Sequence, residues 1–512
     1  MTSESPSSAG CAKAVPSSPK WRIADGFVFG LWLVLAGIVL QHHEPWADEA
    51  QAWLQARDLD LKTLWLHELR YEGTPGLWHT ILWIAQHWFH APYSALGVIG
   101  MLCAAAGVAF ILWKCPFPRP LSYLLVFSYF IAYQYAVVAR SYNLLPLLVF
   151  AAAEFYRDRT HPVRMTVALI LLANVAMHGT LLAAALGLCY LIQALKDWPN
   201  LSKAVRARYG YCITAMLLTF LFLFVILKPT PDVADFAADH SAELTLRKLE
   251  SGAALAVAHA FLNQVAISVL FLLLAGAWCF RRGKLLTFVL PIVLMIGLFV
   301  AVHGRPHHVG TVFLAAIAGL WIAWPSKPEF RGYSRIDRLT TMGMAALLAW
   351  VFSVNIWDAA VTMRKDYLYP YSGAADAAHY LKRAGADKAT IFGYGYGMSA
   401  VQGYFGHNIL ANMPTTYYHQ SLPLHAAAID LRELVAAVPD YVIVFVDGVA
   451  AFKPDEASLR EIGYHPVHFS RGSVFFKKFD VLDQSYYIYK RGLKREMVRD
   501  SSQQCRPPGH DG

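Results

Sequence analysis

Long apolar stretches alternate with short polar connections over the first 357 residues of the chain. Each apolar stretch approaches the ~20 residues that a helix needs to cross the hydrocarbon core of a bilayer, with some tolerance for tilt. The pattern therefore predicts a polytopic α-helical membrane protein with eleven transmembrane helices. They lie near residues 23–41, 93–113, 120–138, 142–156, 163–177, 180–195, 209–227, 251–280, 285–302, 309–324 and 339–357.

The basic residues of the connections predict how the helices are oriented. Cytoplasmic connections carry an excess of Lys and Arg. With a cytoplasmic N-terminus and eleven spans, all five basic connections fall on the cytoplasmic side. They hold Lys114 and Arg119; Arg157, Arg159 and Arg164; Lys196, Lys203, Arg206 and Arg208; Arg281, Arg282 and Lys284; and Lys327, Arg331, Arg335 and Arg338.

One apolar segment, PGLWHTILWIAQHWFH at 75–90, does not fit this orientation as a further span. It is short and carries His79, Gln86 and His87. Counting it as a span would reverse every later connection and break the charge rule. We interpret it as an interfacial or re-entrant helix within a large first outer loop, 42–92.

The sequence changes character after residue 357. Residues 372–383 predict an amphipathic helix, and four segments rich in aromatic and β-branched residues predict strands. We expect a small α/β domain over 358–492 on the outer face, after a transmembrane domain over 21–357. The tails 1–20 and 493–512 are predicted to be disordered, the first in the cytoplasm. The strands lie in ATIFGYGYG (389–397), YVIVFVDG (441–448), SVFFKKF (473–479) and SYYIYKR (485–491).

Composition excludes several classes of function. The chain of 512 residues is 56% hydrophobic and 15% charged, whereas a soluble protein carries roughly 25% charged residues. The net charge of +9 comes from the short connections and forms no basic-aromatic face, so we expect no nucleic-acid partner. Its seven cysteines form no CxxC or metal spacing. GYGYG at 393–397 lacks the lysine of a phosphate loop and is interpreted as a strand and turn.

Acidic and cationic residues collect in the connections assigned to the outer face. Ionisable groups beside a bilayer are costly and are therefore functional candidates. A carboxylate there could act as general base while Arg and His bind an anionic leaving group. The candidates are Asp48, Glu49, Glu72, Arg140, Tyr142, His178, Arg305, His307 and His308.

Simpler interpretations exist for the same residues. Asp48 and Glu49 could cap the helix that starts near Ala50, since acids favour the first helical turn. Arg140 could extend to a lipid headgroup. The HGRPHH segment at 303–308 could bind a metal, but adjacent histidines point apart on most backbones. The acidic residues of 228–250 are interpreted as a solvated loop.

Two motifs together resemble a known superfamily. ADEAQAW at 47–53 and YEGTPGLWH at 71–79 resemble the acidic outer-loop motifs of GT-C membrane glycosyltransferases. The similarity is greatest to family 39, which includes protein O-mannosyltransferases and the lipid A aminoarabinose transferase. ARSY at 139–142 and HGRPHH resemble that family's arginine-bearing segments more weakly. The resemblance covers roughly residues 25–325, and loosely the C-terminal domain.

The resemblance implies a function and a role for each candidate. It implies the GT-C fold and an inverting glycosyltransferase in a bacterial inner membrane, with a polyprenyl-phosphate sugar donor, a glycan, lipid or protein acceptor, and no cofactor. Asp48 would deprotonate the acceptor hydroxyl, while Glu49 and Glu72 would shape the acceptor site. Arg140, His178 and Arg305 would hold the phosphate, in segments that also carry Tyr142, His307 and His308.

Two other classes of function remain open at this stage. A transporter or flippase of lipid-linked sugars would place charges in the middle of the membrane and often shows internal repeats. A non-catalytic cell-envelope assembly protein would use the α/β domain as its working part.

Overall fold

The computed structural model describes residues 22–228, 246–301, 306–418, 429, 431–446 and 456–492. Most of these residues are helical, and a small sheet region follows near the C-terminal end of the described chain. The main helices are α1 Ile23–Leu40, α2 Ala47–Asp58, α3 Leu77–Phe89, α4 Ala95–Lys114, α5 Arg119–Val126, α6 Leu145–Phe155, α7 Pro162–Ala173, α8 Met177–Asp197, α9 Lys203–Ile226, α10 Leu246–Ala260, α11 Val265–Arg281, α12 Leu285–Ala301, α13 Gly310–Ala323, α14 Lys327–Gly332 and α15 Arg335–Leu368.

Several helices have the length and composition of membrane spans. Among the described residues six qualify, namely α1, α4, α8, α9, α13 and α15, where α13 is counted together with the preceding turn Pro306–Val309. The count is seven if the pair α10 and α11, bent by 73°, is one span. These findings are consistent with a helical membrane protein. The larger number of eleven spans stays a prediction, because the apolar helices in 141–155, 162–173 and 285–300 are shorter.

The apolar run 120–138 does not form one straight helix. Helix α5 ends at Val126, and a π-helical turn, Phe130–Gln134, follows it. Every residue from Tyr129 to Ala139 is buried. Irregular backbone is tolerated at membrane depth where protein surrounds it, and this segment meets that condition.

Helix α15 joins the helical bundle to the sheet region. The hydroxyl of Ser334 caps its first turn by accepting from the amide of Asp337, at 3.1 Å. The helix continues to Leu368, beyond the boundary at 357 that the apolar pattern predicted. Its last turns carry polar residues that contact the sheet region, which explains why hydropathy alone did not predict its end.

The sheet region follows the strand prediction closely. The predicted amphipathic helix is α16, Ala374–Arg383, and each predicted segment contains a strand. Strands Tyr464–Ser470 and Phe479–Asp483 were missed because one contains Pro466 and the other has two aspartates. The elements are β1 Ile391–Tyr394, α17 Met398–Gln402, α18 Leu431–Ala437, β2 Tyr441–Val446, α19 Glu456–Glu461, β3 Tyr464–Ser470, β4 Ser473–Phe476, β5 Phe479–Asp483 and β6 Ser485–Arg491.

The strands form two separate sheets. The larger one has the order β1-β2-β6-β3, with β1 and β2 parallel and the other pairs antiparallel. The hairpin β4–β5 stands apart from it. Val474, Phe475 and Phe476 of this hairpin are buried in the same apolar core as the helices of the bundle. The hairpin therefore anchors the sheet region to the bundle.

Helix α2 lies between the bundle and the sheet region. It packs against α3 on one side and against α17 on the other, and Ala50 and Leu54 belong to the core of the larger sheet. The hydroxyl of Ser399 in α17 donates to the carbonyl of Ala47, at 3.3 Å. The predicted strand and turn at GYGYG is confirmed, because β1 ends at Tyr394 and α17 begins at Met398. The turn between them brings α17 against α2.

Candidate active site

The first turn of α2 directs its two acidic residues to different places. The carboxylate of Glu49 accepts from the amide of Trp46, at 3.2 Å, and so caps the helix. Successive helical residues are about 100° apart around the axis. Asp48 therefore faces away from Glu49, and 35% of its side chain stays exposed while that of Glu49 is fully buried.

Asp48 lies at one end of a short polar array. Its Oδ2 is 3.0 Å from Nη1 of Arg140, which is 23% exposed. The same Nη1 donates to Nε2 of His307, also at 3.0 Å. Because an arginine side chain can only donate, His307 accepts with a neutral ring in this pairing. A carboxylate, a guanidinium and an imidazole from three separate segments thus meet at this place.

Aromatic side chains surround the guanidinium of Arg140. Its carbon Cζ lies 5.8 Å from the ring centroid of Trp46 and 5.5 Å from that of Tyr142. Both separations fall within the range of cation–π attraction, which holds a guanidinium in place. The surrounding rings also reduce the access of water, so a charge on a bound anion would be screened less than at the open surface.

Tyr142 lies next to two further histidines, His178 and His308. Its hydroxyl is 3.3 Å from Nδ1 of His178. The rings of His178 and His308 are 4.7 Å apart, and those of His308 and His307 are 4.3 Å apart. A continuous group of polar side chains therefore runs from Asp48 through Arg140 and the histidines to Tyr142.

Glu49 does not reach this array. Its Oε1 accepts from the backbone amide of Ala139, at 2.5 Å, and its Oε2 lies 3.1 Å from Nε2 of His43. With the bond to Trp46, the carboxylate has three polar partners and faces the interior. This geometry favours the capping role over a catalytic one, and it connects α2 to the residue directly before Arg140.

Glu72 belongs to a second polar group, beside α2. Its Oε1 accepts from Nε2 of Gln51 at 2.9 Å and from Nε2 of Gln55 at 2.8 Å. Gln55 also lies 3.4 Å from Oε1 of Glu68. Burial raises the pKa of Glu72, and burial followed by repulsion from Glu72 raises the pKa of Glu68 to about 7. The group thus pairs two carboxyl groups with two side-chain amides beside α2.

A narrow cleft separates Arg140 from the hairpin β4–β5. It measures about 10 Å³, which is room for roughly one water molecule. Its lining includes Arg140, His307 and Trp46, and it includes Val474, Phe475, Phe476 and Val481 of the hairpin. The hairpin therefore forms an apolar boundary of the site.

The structure brings together most of the residues that the sequence singled out. Asp48, Arg140, Tyr142, His178, His307 and His308 form the array, Glu72 lies in the neighbouring group, and Glu49 is turned inward. Arg305 lies outside the described residues. Sequence reasoning missed His43 and Asp366, although His43 stands in the same HHEPWADE stretch as Asp48.

No group of three or more potential metal ligands occurs within the described ranges. Comparisons with protein-family models, with curated proteins and with solved structures give no match for this chain.

Proposed function

We propose that this protein is an inverting glycosyltransferase that moves a sugar from a polyprenyl-phosphate donor to an acceptor at the periplasmic face of a bacterial inner membrane. The observation that carries the proposal is the contact of Arg140 with both Asp48 and His307 within the array. It places a partly exposed carboxylate beside a cationic group that can bind a phosphate. The resemblance in ADEAQAW and YEGTPGLWH supports the same reaction class.

Asp48 acts as the general base in the proposed reaction. It takes the proton of the acceptor hydroxyl, and the acceptor oxygen attacks the anomeric carbon of the donor sugar. The bond between that carbon and the phosphate oxygen breaks on the opposite face, so the configuration inverts. The electron pair of that bond leaves with the polyprenyl phosphate, whose developing charge needs stabilisation.

Arg140 supplies that stabilisation. Its contacts with Asp48 and His307 both use Nη1, whereas a guanidinium has five N–H donors in a planar fork. A phosphate can therefore bind to the guanidinium while Asp48 stays close to it. His307, His308 and His178 belong to the same array and provide further polar contacts for the leaving group.

The helical bundle suits a lipid-linked donor. The isoprenoid chain would stay among apolar helices while its phosphate reaches the array at the membrane surface. In this proposal the chain has eleven spans in the GT-C arrangement, a cytoplasmic N-terminus and a periplasmic sheet region. The lipid phosphate takes the place of a nucleotide as leaving group, so the reaction needs no nucleotide-binding domain.

The test is release of polyprenyl phosphate by the purified protein in lipid, supplied with a panel of polyprenyl-phosphate sugars and an acceptor extract. Asp48→Asn should reduce release by roughly 100-fold or more, as expected for loss of a general base. Asp58→Asn is the matched control, because Asp58 lies on the same helix but pairs with Arg57, at 2.6 Å. Full activity of the Asp48→Asn variant would overturn the assignment of the base.

One observation favours a second candidate, a transporter or flippase of lipid-linked sugars. The helices α10 and α11 are bent by 73° at a break, and broken helices form the binding sites of many transporters. Donor movement across sealed vesicles, without formation of a glycosylated product, would support this candidate against the transferase.

A further inference from the structure

A buried cluster of three ionisable side chains lies directly behind the array. The two ring nitrogens of His43 each meet a carboxylate: Nε2 lies 3.1 Å from Oε2 of Glu49, and Nδ1 lies 2.8 Å from Oδ2 of Asp366. The side chain of His43 is 1% exposed, and both carboxylates are fully buried. The hydroxyl of Tyr133 donates to the same oxygen of Asp366, at 2.9 Å.

This cluster joins four parts of the chain that are distant in sequence. His43 lies in the connection after α1, Glu49 in the first turn of α2, Tyr133 in the irregular segment after α5, and Asp366 near the end of α15. Glu49 extends the cluster to the backbone of Ala139. Two elements of the array, the start of α2 and the segment of Arg140, are thus held by the same carboxylate.

We propose that His43 is a positioning residue, which sets the distance between Asp48 and Arg140. Its ring holds Glu49 against the backbone of Ala139, and Asp366 binds the other nitrogen of the ring. Only the predicted effect of His43 on catalysis rests on the proposed function. The positioning itself can be measured without any substrate.

The charges of the cluster explain why an imidazole is needed. Two buried carboxylates repel each other, and a buried charge without a partner is strongly unfavourable. Burial by itself would lower the pKa of His43, but the attraction of Asp366 and Glu49 outweighs burial and raises that pKa to about 10. An imidazolium between the carboxylates donates to both at once, which a neutral ring cannot do.

His43 is not itself a general base in this proposal. It is enclosed by Glu49, Asp366 and the ring of Tyr371, whose centroid lies 4.5 Å from that of His43. Glu44, on the same connection, adds a further acidic group nearby. The influence of His43 on the reaction therefore passes through Glu49 and the backbone beside Arg140.

The experiment compares three variants of the full chain in lipid: His43→Gln, Asp366→Asn and the double variant His43→Gln/Asp366→Asn. In His43→Gln two buried carboxylates lose their shared cation. We expect kcat to fall roughly 100-fold, the effect of a misplacement of about 1 Å, with KM for the donor changing less than kcat. The double variant should recover about tenfold over His43→Gln, because the second substitution removes the excess negative charge.

Hydrogen exchange of the backbone amide of Ala139 gives the readout that needs no substrate. Exchange should accelerate about tenfold in His43→Gln, since the amide loses a firmly held carboxylate partner, and it should slow again in the double variant. Asn355→Ala is the matched control. Asn355 is a buried polar residue of the same helix α15, whose amide donates to the carbonyls of Phe261 and Val351.

The outcomes separate the two claims. Recovery of kcat and of exchange protection in the double variant supports the positioning role. If His43 only filled space, a second substitution beside it would not restore either quantity. A kcat in His43→Gln within about threefold of wild type, or an equal loss in Asn355→Ala, would overturn it. If the wild type transfers no sugar while the exchange pattern follows expectation, the glycosyltransferase proposal fails and the positioning role stands.

Discussion

The carboxylate of Asp48 lies 3.0 Å from the guanidinium of Arg140. The two residues come from separate segments, α2 and the turn before α6, and are held together from behind by the bond between Glu49 and the amide of Ala139. Neighbouring residues thus have different roles in each segment. Arg140 lines the cleft and Asp48 pairs with it, partly exposed, while Glu49 and Ala139 fix the backbones that carry them.

Replacement of Arg140 by lysine tests the anion-binding role. Lysine keeps the positive charge but loses the planar fork that matches a phosphate. We expect Arg140→Lys to lower kcat/KM for the donor roughly 100-fold, the effect of losing one preorganised donor in a transition state. Steady-state rates at varied donor concentration measure this effect. Arg57→Lys is the control, and equal losses in both variants would contradict a specific role for Arg140.

The raised pKa of Glu68 predicts how stability depends on pH. Burial, followed by repulsion from Glu72, raises this pKa from 4.5 to about 7. Between those values the folded protein binds more protons at this site than the unfolded chain. The contribution of Glu68 to the free energy of unfolding therefore falls as pH rises from about 4.5 to about 7.

Glu68→Gln removes this dependence. The variant should melt at a higher temperature than wild type at pH 8, where the buried carboxylate is ionised, and should match wild type near pH 4. Thermal unfolding in detergent at both pH values is the measurement, with the exposed Glu461→Gln as control. A lower melting temperature for Glu68→Gln at pH 8 would show that the ionised form is well accommodated.

The tip of the hairpin β4–β5 depends on a buried ion pair. Nζ of Lys477 lies 2.8 Å from Oδ2 of Asp358 in α15 and donates to Oδ1 of Asn263, at 2.7 Å. Removal of one partner leaves a buried charge unpaired, so Lys477→Met should lower the free energy of unfolding by about 3–5 kcal/mol. Lys477→Met/Asp358→Asn should recover most of this loss, because no charge then stays buried.

Chemical unfolding in micelles measures these differences. Lys478→Met is the matched control: Lys478 is exposed and lies over the ring of Phe479, at 5.3 Å. We expect it to change the free energy of unfolding by less than about 0.5 kcal/mol, as for most surface substitutions. If the double variant is no more stable than Lys477→Met, the destabilisation comes from lost packing and not from the uncompensated charge.

Gly397, directly before α17, packs closely against strand β2. A Cβ atom at this position would lie 2.3 Å from the ring of Phe445, and that ring is buried. Gly397→Ala should therefore lower the free energy of unfolding by about 1–3 kcal/mol, the usual effect of overpacking. It should also reduce transfer activity, because α17 supports the helix that carries Asp48.

Gly406→Ala is the control for this substitution, since a Cβ there would meet no atom within 4 Å. Circular dichroism during thermal unfolding and the release of polyprenyl phosphate are the two measurements. Equal stability of the two alanine variants would show that Phe445 moves aside at little cost.

The amino-acid sequence by itself determined the helical class, the candidate membrane helices among the described residues and most of the strands beyond residue 357. These features depend on local periodicity and composition, which a window of neighbouring residues contains. The candidates Asp48, Arg140, His178 and His307 could also be named from sequence, because charge beside an apolar run is rare and costly.

Only the tertiary structure decided how these residues are arranged. It turned Glu49 inward to Ala139, placed His43 against Asp366, and packed the hairpin β4–β5 into the apolar core of the bundle. Each of these contacts joins segments far apart along the chain, and such contacts leave no period in the sequence. The two polar contacts form because buried polar groups must find partners, and the hairpin packs because burial removes its apolar side chains from water. The fold determines which partners lie within reach.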